Sequence, residues 1–225
     1  MNRAIYITSF YNEANDKRRM ELEYCLTNVL ENKAIGLVVL VHDNEEPVNT
    51  DIPLSNYLIK GRLLNVYLKK RPTYKDFFDI ANDVSDDGDT VIIANTDIYP
   101  EYGAVEYMLQ IRDNECYALS RYDKQLDGTN VLFDRWDSQD SWVFKAPIRP
   151  IAGSDFFSGT AGCDNAIADR IHKAGYNISN PSKTIQLNHF HLSGINNYNP
   201  DHKVEKPYLL IAPHYLGDMP NLHSC

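Results

Sequence analysis

Residues 90–100 read TVIIANTDIYP. A short, β-branched apolar run that stops on polar residues, directly after the turn signal SDDGD at 85–89, predicts a buried strand over 90–94. Strands that are apolar throughout belong to parallel sheets covered on both faces. Working outward, AIYIT at 4–8 predicts a first strand, and IGLVVLV at 35–41 a second that ends on His42, Asp43 and Asn44. Between them Met20, Tyr24, Cys25, Val29 and Leu30 recur at helical spacing over 16–32. Beyond a Pro- and Asn-containing stretch around 47–53, residues 64–68 offer a third strand, and Tyr74, Phe77, Phe78 and Ala81 share one helical face. The resulting β-α-β-β-α-β order predicts an α/β fold, a mostly parallel central sheet with helices on both faces and a ligand beyond the carboxyl ends of its strands.

The second half is less regular. Residues 103–112 and 162–174 read as helices, the latter ended by Gly175, while 116–120, 142–144 and, last, 184–187 read as strands. The polar stretch NHFHLSGINNYNPDHK, 188–203, reads as loop. A length of 225 residues supports one domain with a sizeable core, and 43% hydrophobic with 24% charged residues is the make-up of a folded chain. A net charge of -9 and a pI near 5.2 oppose a phosphate-backbone footprint, which excludes nucleic acid as the expected partner. Cys25, Cys116, Cys163 and Cys225 lack CxxC spacing, so neither a zinc site nor a disulfide framework is expected. MNRAIYITSF enters a strand without a signal-peptide pattern, and no run of about 18 apolar residues predicts a membrane span. A reducing, cytoplasmic setting is expected.

Asn95 and Asp97, two apart on an extended segment, would face one ligand together at the strand's end. A carboxylate there suits Mg2+ or Mn2+ bridging two phosphates; in a turn, the same residues would cap backbone amides instead. In FFSGTAGCDNAIADRIHKAGYNISNPS, 156–182, Gly159 and Gly162 permit close approach, and Asp164 and Asn165 stand at a helix start, where the dipole would keep a carboxylate ionised. His189 and His191, as H-x-H on a strand, would face one side. Thr8, Phe10 and Asn12 leave the first strand at its carboxyl edge, and Asp43 ends the second, where a nucleobase and ribose could sit. Arg71 leads a basic cluster with Lys69, Lys70 and Lys75. SRYD at 120–123 and DRWDSQDSW at 134–142, which holds Asp140 and Trp142, mix aromatic planes with acids as sugar recognition requires, although ordinary turns have the same make-up.

An apolar strand running into Asn95-Thr96-Asp97 resembles the DxD motif of GT-A glycosyltransferases, with Asn in place of the first Asp. Asp164, Ile167, Arg170 and Gly175 are similar to the block that follows the acceptor loop in the inverting members of that family. The resemblance implies one GT-A domain over 1–225, with 1–100 as the nucleotide-binding half and 101–225 as the acceptor-binding and catalytic half. It implies that Asp97 binds Mn2+ (or Mg2+), completed by His191 ahead of His189, and that Asp164 is the general base. Thr8, Phe10, Asn12, Asp43, Arg71, Asn95, Thr96 and Asp97 would then contact a nucleotide-sugar donor, a UDP-sugar by preference. Asp140, Trp142 and Asn165 would meet the hydroxyl acceptor; in a retaining enzyme Asp140 would take the central role. The implied activity is metal-dependent hexosyl transfer in bacterial or viral glycan or polysaccharide synthesis. A nucleotidyltransferase is the nearest rival, but the loop TSFYNEAN after the first strand lacks its glycines. A non-catalytic carbohydrate- or nucleotide-binding module is the other alternative.

Overall fold

A computed structural model describes residues 3–45, 48, 50–194 and 203–225. In chain order the first half holds β1 (Ala4–Ser9), α1 (Asp16–Glu31), β2 (Ile35–His42), α2 (Ser55–Ile59), β3 (Leu63–Tyr67), α3 (Tyr74–Val84), β4 (Thr90–Ala94) and β5 (Ile98–Pro100). There follow α4 (Ala104–Met108), β6 (Glu115–Leu119), β7 (Tyr122–Lys124), β8 (Asn130–Leu132), β9 (Ser141–Lys145), α5 (Cys163–Lys173), β10 (Asn177–Ser179), β11 (Leu187–His189), β12 (Leu209–Ile211) and β13 (Leu222–Ser224).

Seven strands form the central sheet in the order β10-β6-β9-β4-β1-β2-β3. β1 pairs in parallel with both β2 and β4, β2 with β3, and β6 with β10; β9 alone runs antiparallel, between β4 and β6. Successive strand residues point to opposite faces. Ile5, Ile7, Val39, Val41, Val91 and Ile93 join a core that includes Phe77 and Phe78 of α3 and Ile167 and Ile171 of α5. Tyr6, Val38, Leu40 and Ile92 join a second core with Leu22, Cys25, Leu26 and Val29 of α1 and Val105 and Met108 of α4. Each such buried side chain contributes about 1.5–3 kcal/mol. The predicted two-sided α/β sheet is the observed architecture.

Local chemistry sets the helix ends. Asn15 caps α1 by accepting from the Lys17 and Arg18 amides. Thr73 and Asp76 form a reciprocal capping box on α3. α5 carries Asp164 in its first turn and Arg170, His172 and Lys173 in its last, matched to the helix dipole.

Several expectations need correction. α2 interrupts the expected β-β step. The inward face of α1 is not that of Met20 and Tyr24, which are 67% and 39% exposed; Arg18 and Glu21 are buried instead. α4 stops at Met108 because bonding tightens to the Gln110-to-Tyr107 and Ile111-to-Met108 pattern. β6 ends one residue early, since the Ser120 amide donates to the Ser182 hydroxyl at 2.8 Å. The strand expected at 184–187 is displaced to Leu187–His189 by a turn in which the Thr184 amide donates to the Pro181 carbonyl, and β12 and β13 follow it. Asn188 and His189 therefore belong to a strand; of the loop expected over 188–203, residues 195–202 lie outside the described residues. No described helix is long and apolar enough to cross a membrane. All four cysteines are free, three of them buried.

Candidate functional site

The carboxyl ends of β1, β2 and β4 open onto one cleft of about 450 Å³. Because β9 runs antiparallel, its first residues meet the same edge, so Asp140 stands beside Asn95 and Trp142 opposite Ile93. Ser9, Phe10 and Tyr11 line the cleft from β1, Asp43 from β2, Asn95, Thr96 and Asp97 from β4, and Arg71, Tyr74, Ser158 and Gly159 close its other side. Six expected members do not line it: Asp164, His189 and His191 stand behind lining residues, Asp164 against Tyr74 and His189 against Asp97, and Thr8, Asn12 and Asn165 lie elsewhere. Thr8 is buried, with its hydroxyl donating to the Ser9 carbonyl at 3.3 Å; Asn12 is exposed; Asn165 is buried on α5.

Residues 95–98 form a turn, closed by the Ile98 amide donating to the Asn95 carbonyl at 3.2 Å. The extended register expected for Asn95 and Asp97 is thus replaced by turn geometry. Both side chains still line the cleft, with different partners. The Asn95 amide donates to Asp140 Oδ1 at 3.2 Å, and the Thr96 hydroxyl to the Ser9 carbonyl at 2.8 Å. Asp97 Oδ2 accepts from Arg18 Nη2 at 2.5 Å and lies 3.1 Å from Nε2 of His189. Burial alone would raise the Asp97 pKa, but His189 and Arg18 together hold it well below the usual carboxylate range.

A second, four-stranded sheet, β5-β11-β7-β8, delivers the histidine. His189 pairs antiparallel with Ile98 on one side and parallel with Asp123 on the other. That register sets His189 Nδ1 2.7 Å from Asp123 Oδ1 and aims Nε2 at Asp97. Burial lowers the His189 pKa, yet the two carboxylates outweigh it and raise it to about 9. The His191 ring stands at right angles to that of His189, centroids 5.4 Å apart, and burial lowers its pKa. Asp97, His189 and His191 each offer one ligand atom, all within 4.8 Å of one another. One carboxylate oxygen with two imidazoles is a donor set that Mn2+ accepts more readily than Mg2+. A carboxylate on the far nitrogen of a ligating histidine is the usual support for such a ligand. The residues therefore fit a divalent cation.

The network continues through Arg121, which donates to Asp123 at 2.8 Å and to Asp140 at 3.0 Å and lies over the Phe133 ring. Burial raises the Asp140 pKa against the pull of Arg121. Behind Tyr74, Gly162 precedes α5 with φ +71, and Asp164 sits in the first turn. Asp164 accepts from the Cys163 thiol at 3.2 Å and from the Tyr74 hydroxyl at 3.4 Å. Burial, then the charge of Asp140, raises its pKa to about 7, so the helix dipole does not keep it ionised at low pH as expected. Arg71 Nη2 donates to the Ser158 and Gly159 carbonyls at 2.5 and 3.0 Å, clipping this loop to the cleft.

Arg18, Glu21 and Tyr74 are the site residues that sequence reasoning missed, and Arg121 and Asp123, expected within SRYD as part of a sugar-binding rim, support His189 and Asp140 instead. For the first two a signal existed: Arg18, Glu21, Leu22 and Cys25 follow i, i+3, i+4, i+7 spacing, so one face carries charges into the core. Asp123 depends on strand register, which has no local signal.

No protein-family profile matches the sequence, and no curated protein matches it either. Solved structures do match. S. aureus TarS residues 1-349 in complex with UDP-GlcNAc shows a TM-score of 0.57 at 13% identity, over 86% of this chain and 60% of that one. The mannosyltransferase PcManGT from Pyrobaculum calidifontis, in complex with GDP-Man and Mn2+, gives 0.57 at 16% identity, over 85% and 58%. GalNAc-T7 with UDP, GalNAc and Mn2+ gives 0.54 at 13%, over 88% and 45%. The chain thus spans 45–60% of the length of these structures. The likeness shows the fold: the chain has the GT-A fold, with a mostly parallel, Rossmann-like sheet.

Proposed function

We propose that this GT-A-fold chain is a metal-assisted, inverting glycosyltransferase that moves a hexosyl group from a nucleotide-sugar to an acceptor hydroxyl in glycan or polysaccharide assembly. The observation that carries this reading is the convergence of Asp97, His189 and His191 within 4.8 Å, with Asp97 itself lining the cleft that the parallel strands open. Two of the three structural neighbours hold uridine nucleotides, which supports a UDP-sugar donor.

Each lining residue has a role in that reaction. Phe10 and Tyr11 give the base an aromatic wall, and Asp43 accepts hydrogen bonds from base or ribose. Arg71 meets the donor sugar or diphosphate from the loop it clips. A divalent cation held by Asp97, His189 and His191 would supply the charge that stabilises the departing diphosphate. The acceptor oxygen bonds to the anomeric carbon as the carbon–oxygen bond to the β-phosphate breaks, and the electron pair leaves with the phosphate.

Asp164 takes the acceptor proton. Its raised pKa makes it a stronger base than an ordinary aspartate, while half of it is still ionised near pH 7. Asp140 is a poor candidate for a covalent nucleophile, because Arg121 and the Asn95 amide both occupy its Oδ1. It serves instead with Trp142 in shaping the acceptor side.

Thermal-shift titration of UDP- and GDP-sugars with Mn2+ tests the donor, since a ligand at 100 times its dissociation constant adds about 2.7 kcal/mol of stability. Proton NMR of the glycoside product then reads inversion directly. No shift with any nucleotide-sugar would sink the reading, and a retained anomeric configuration would remove Asp164 as base.

A further inference from the structure

Arg18 stands inside the cation site. It is 7% exposed on α1, lines the cleft beside Asp97, Thr96 and Ser9, and places its guanidinium directly on the carboxylate that the ion would use. Its other arm is fixed: Nη1 donates to Glu21 Oε2 at 3.0 Å, and Glu21 in turn accepts from the Ser193 amide at 2.6 Å and hydroxyl at 2.9 Å. Among the described residues, two of the five N–H donors of the guanidinium are committed in these bonds. The motif at 95–97 supplies a single carboxylate, because position 95 is an asparagine engaged with Asp140. The cation site therefore holds a single carboxylate, and a permanent positive charge already shares it.

We infer that Arg18 is a built-in cation of the diphosphate pocket, so that this chain holds a nucleoside diphosphate without a metal ion, and that Arg18 competes with the ion for Asp97. The inference rests on the donor reading above. A guanidinium is always charged and its fork matches phosphate oxygens, so it supplies at a fixed place part of what the ion supplies when bound.

The test is calorimetric titration of UDP and of GDP into the full chain and into Arg18→Gln and Arg18→Lys, each with Mn2+ and with EDTA, together with Mn2+ alone. The wild-type chain should bind UDP or GDP in EDTA, more weakly than with Mn2+. Arg18→Gln should lose about 10–100-fold in EDTA, the worth of a hydrogen bond to a charged group, and bind Mn2+ alone more tightly than wild type. Arg18→Lys, which keeps the charge but not the fork, should fall between. Should Arg18→Gln not fold, Arg18→Lys decides on the same two readouts. Wild-type affinity for nucleotide in EDTA together with unchanged Mn2+ affinity in a folded Arg18→Gln would reduce Arg18 to a strut between α1 and the turn. Wild type binding with Mn2+ but not in EDTA also overturns the inference and leaves the donor reading standing. Absence of binding in both conditions overturns the donor reading itself.

Discussion

His189 lies between two carboxylates, 2.7 Å from Asp123 through Nδ1 and 3.1 Å from Asp97 through Nε2. In a metal complex Asp123 would hold the proton on Nδ1 and leave Nε2 free to ligate. Asp123→Asn should weaken Mn2+ binding by about 10–100-fold, measured by calorimetry, while circular dichroism stays unchanged. Unaltered affinity would mean that His189 does not ligate through Nε2.

Asp164 sets a pH dependence. Its native pKa is raised to about 7, so kcat/KM should rise about tenfold per pH unit below that value and level off above it. Asp164→Asn should spare donor binding and lose at least about 100-fold in kcat. Stability should run the other way. The unfolded carboxyl loses its proton near pH 3.9 (about the model-peptide value) whereas the native one keeps it to about 7, so wild type should lose stability relative to Asp164→Asn as pH rises through that window, and hold level above it. Urea melts at pH 4, 5.5 and 8 (roughly spanning the window) read the difference.

Gly162→Ala should destabilise the chain by roughly 1–3 kcal/mol. The backbone there has φ +71, and an added Cβ would stand 2.6 Å from the Tyr208 hydroxyl. Because Asp164 is two residues on, the melting temperature should drop together with turnover. A variant as stable as wild type would show that the backbone at 162 and Tyr208 both give way freely.

Arg71→Ala separates binding from folding. Its contacts to Ser158 and Gly159 are exposed, so their loss should shift stability by no more than about 1 kcal/mol. Donor KM should nevertheless rise about tenfold, since the loop wall and a cationic group are lost together. An unchanged KM would assign Arg71 to the loop alone.

What the sequence reveals of this molecule follows from how local each signal is. The strands at 4–8, 35–41 and 90–94 are legible because a continuous β-branched run between polar stops has few other uses, and all three occur within a residue or two of their expected bounds. The face of α1 is misread because Met20 and Tyr24 outrank Arg18 and Glu21 in hydrophobicity, whereas an ion-paired network takes the charged pair inside. Asp97, His189 and His191 are each picked out by motif and spacing. That they meet depends on β5 and β11 pairing in an antiparallel register, an arrangement between residues about ninety positions apart that no local pattern encodes. The pairing of Asp123 with His189 is hidden for the same reason, whereas the turn at 95–98 is local and is one of the two readings that Asn95 and Asp97 allow.

The strand β9 comes from well beyond residue 100 and zips along β4, Lys145 opposite Thr90 and Ser141 opposite Ala94. The polypeptide therefore cannot be cut near residue 100 into self-sufficient pieces. An N-terminal fragment would leave β4 as a bare apolar border, the kind of surface on which chains stack and precipitate. Produced together, the two fragments should rescue one another, and cooperative unfolding of the mixture would then report their reunion, which makes this open sheet a natural frame for a split reporter.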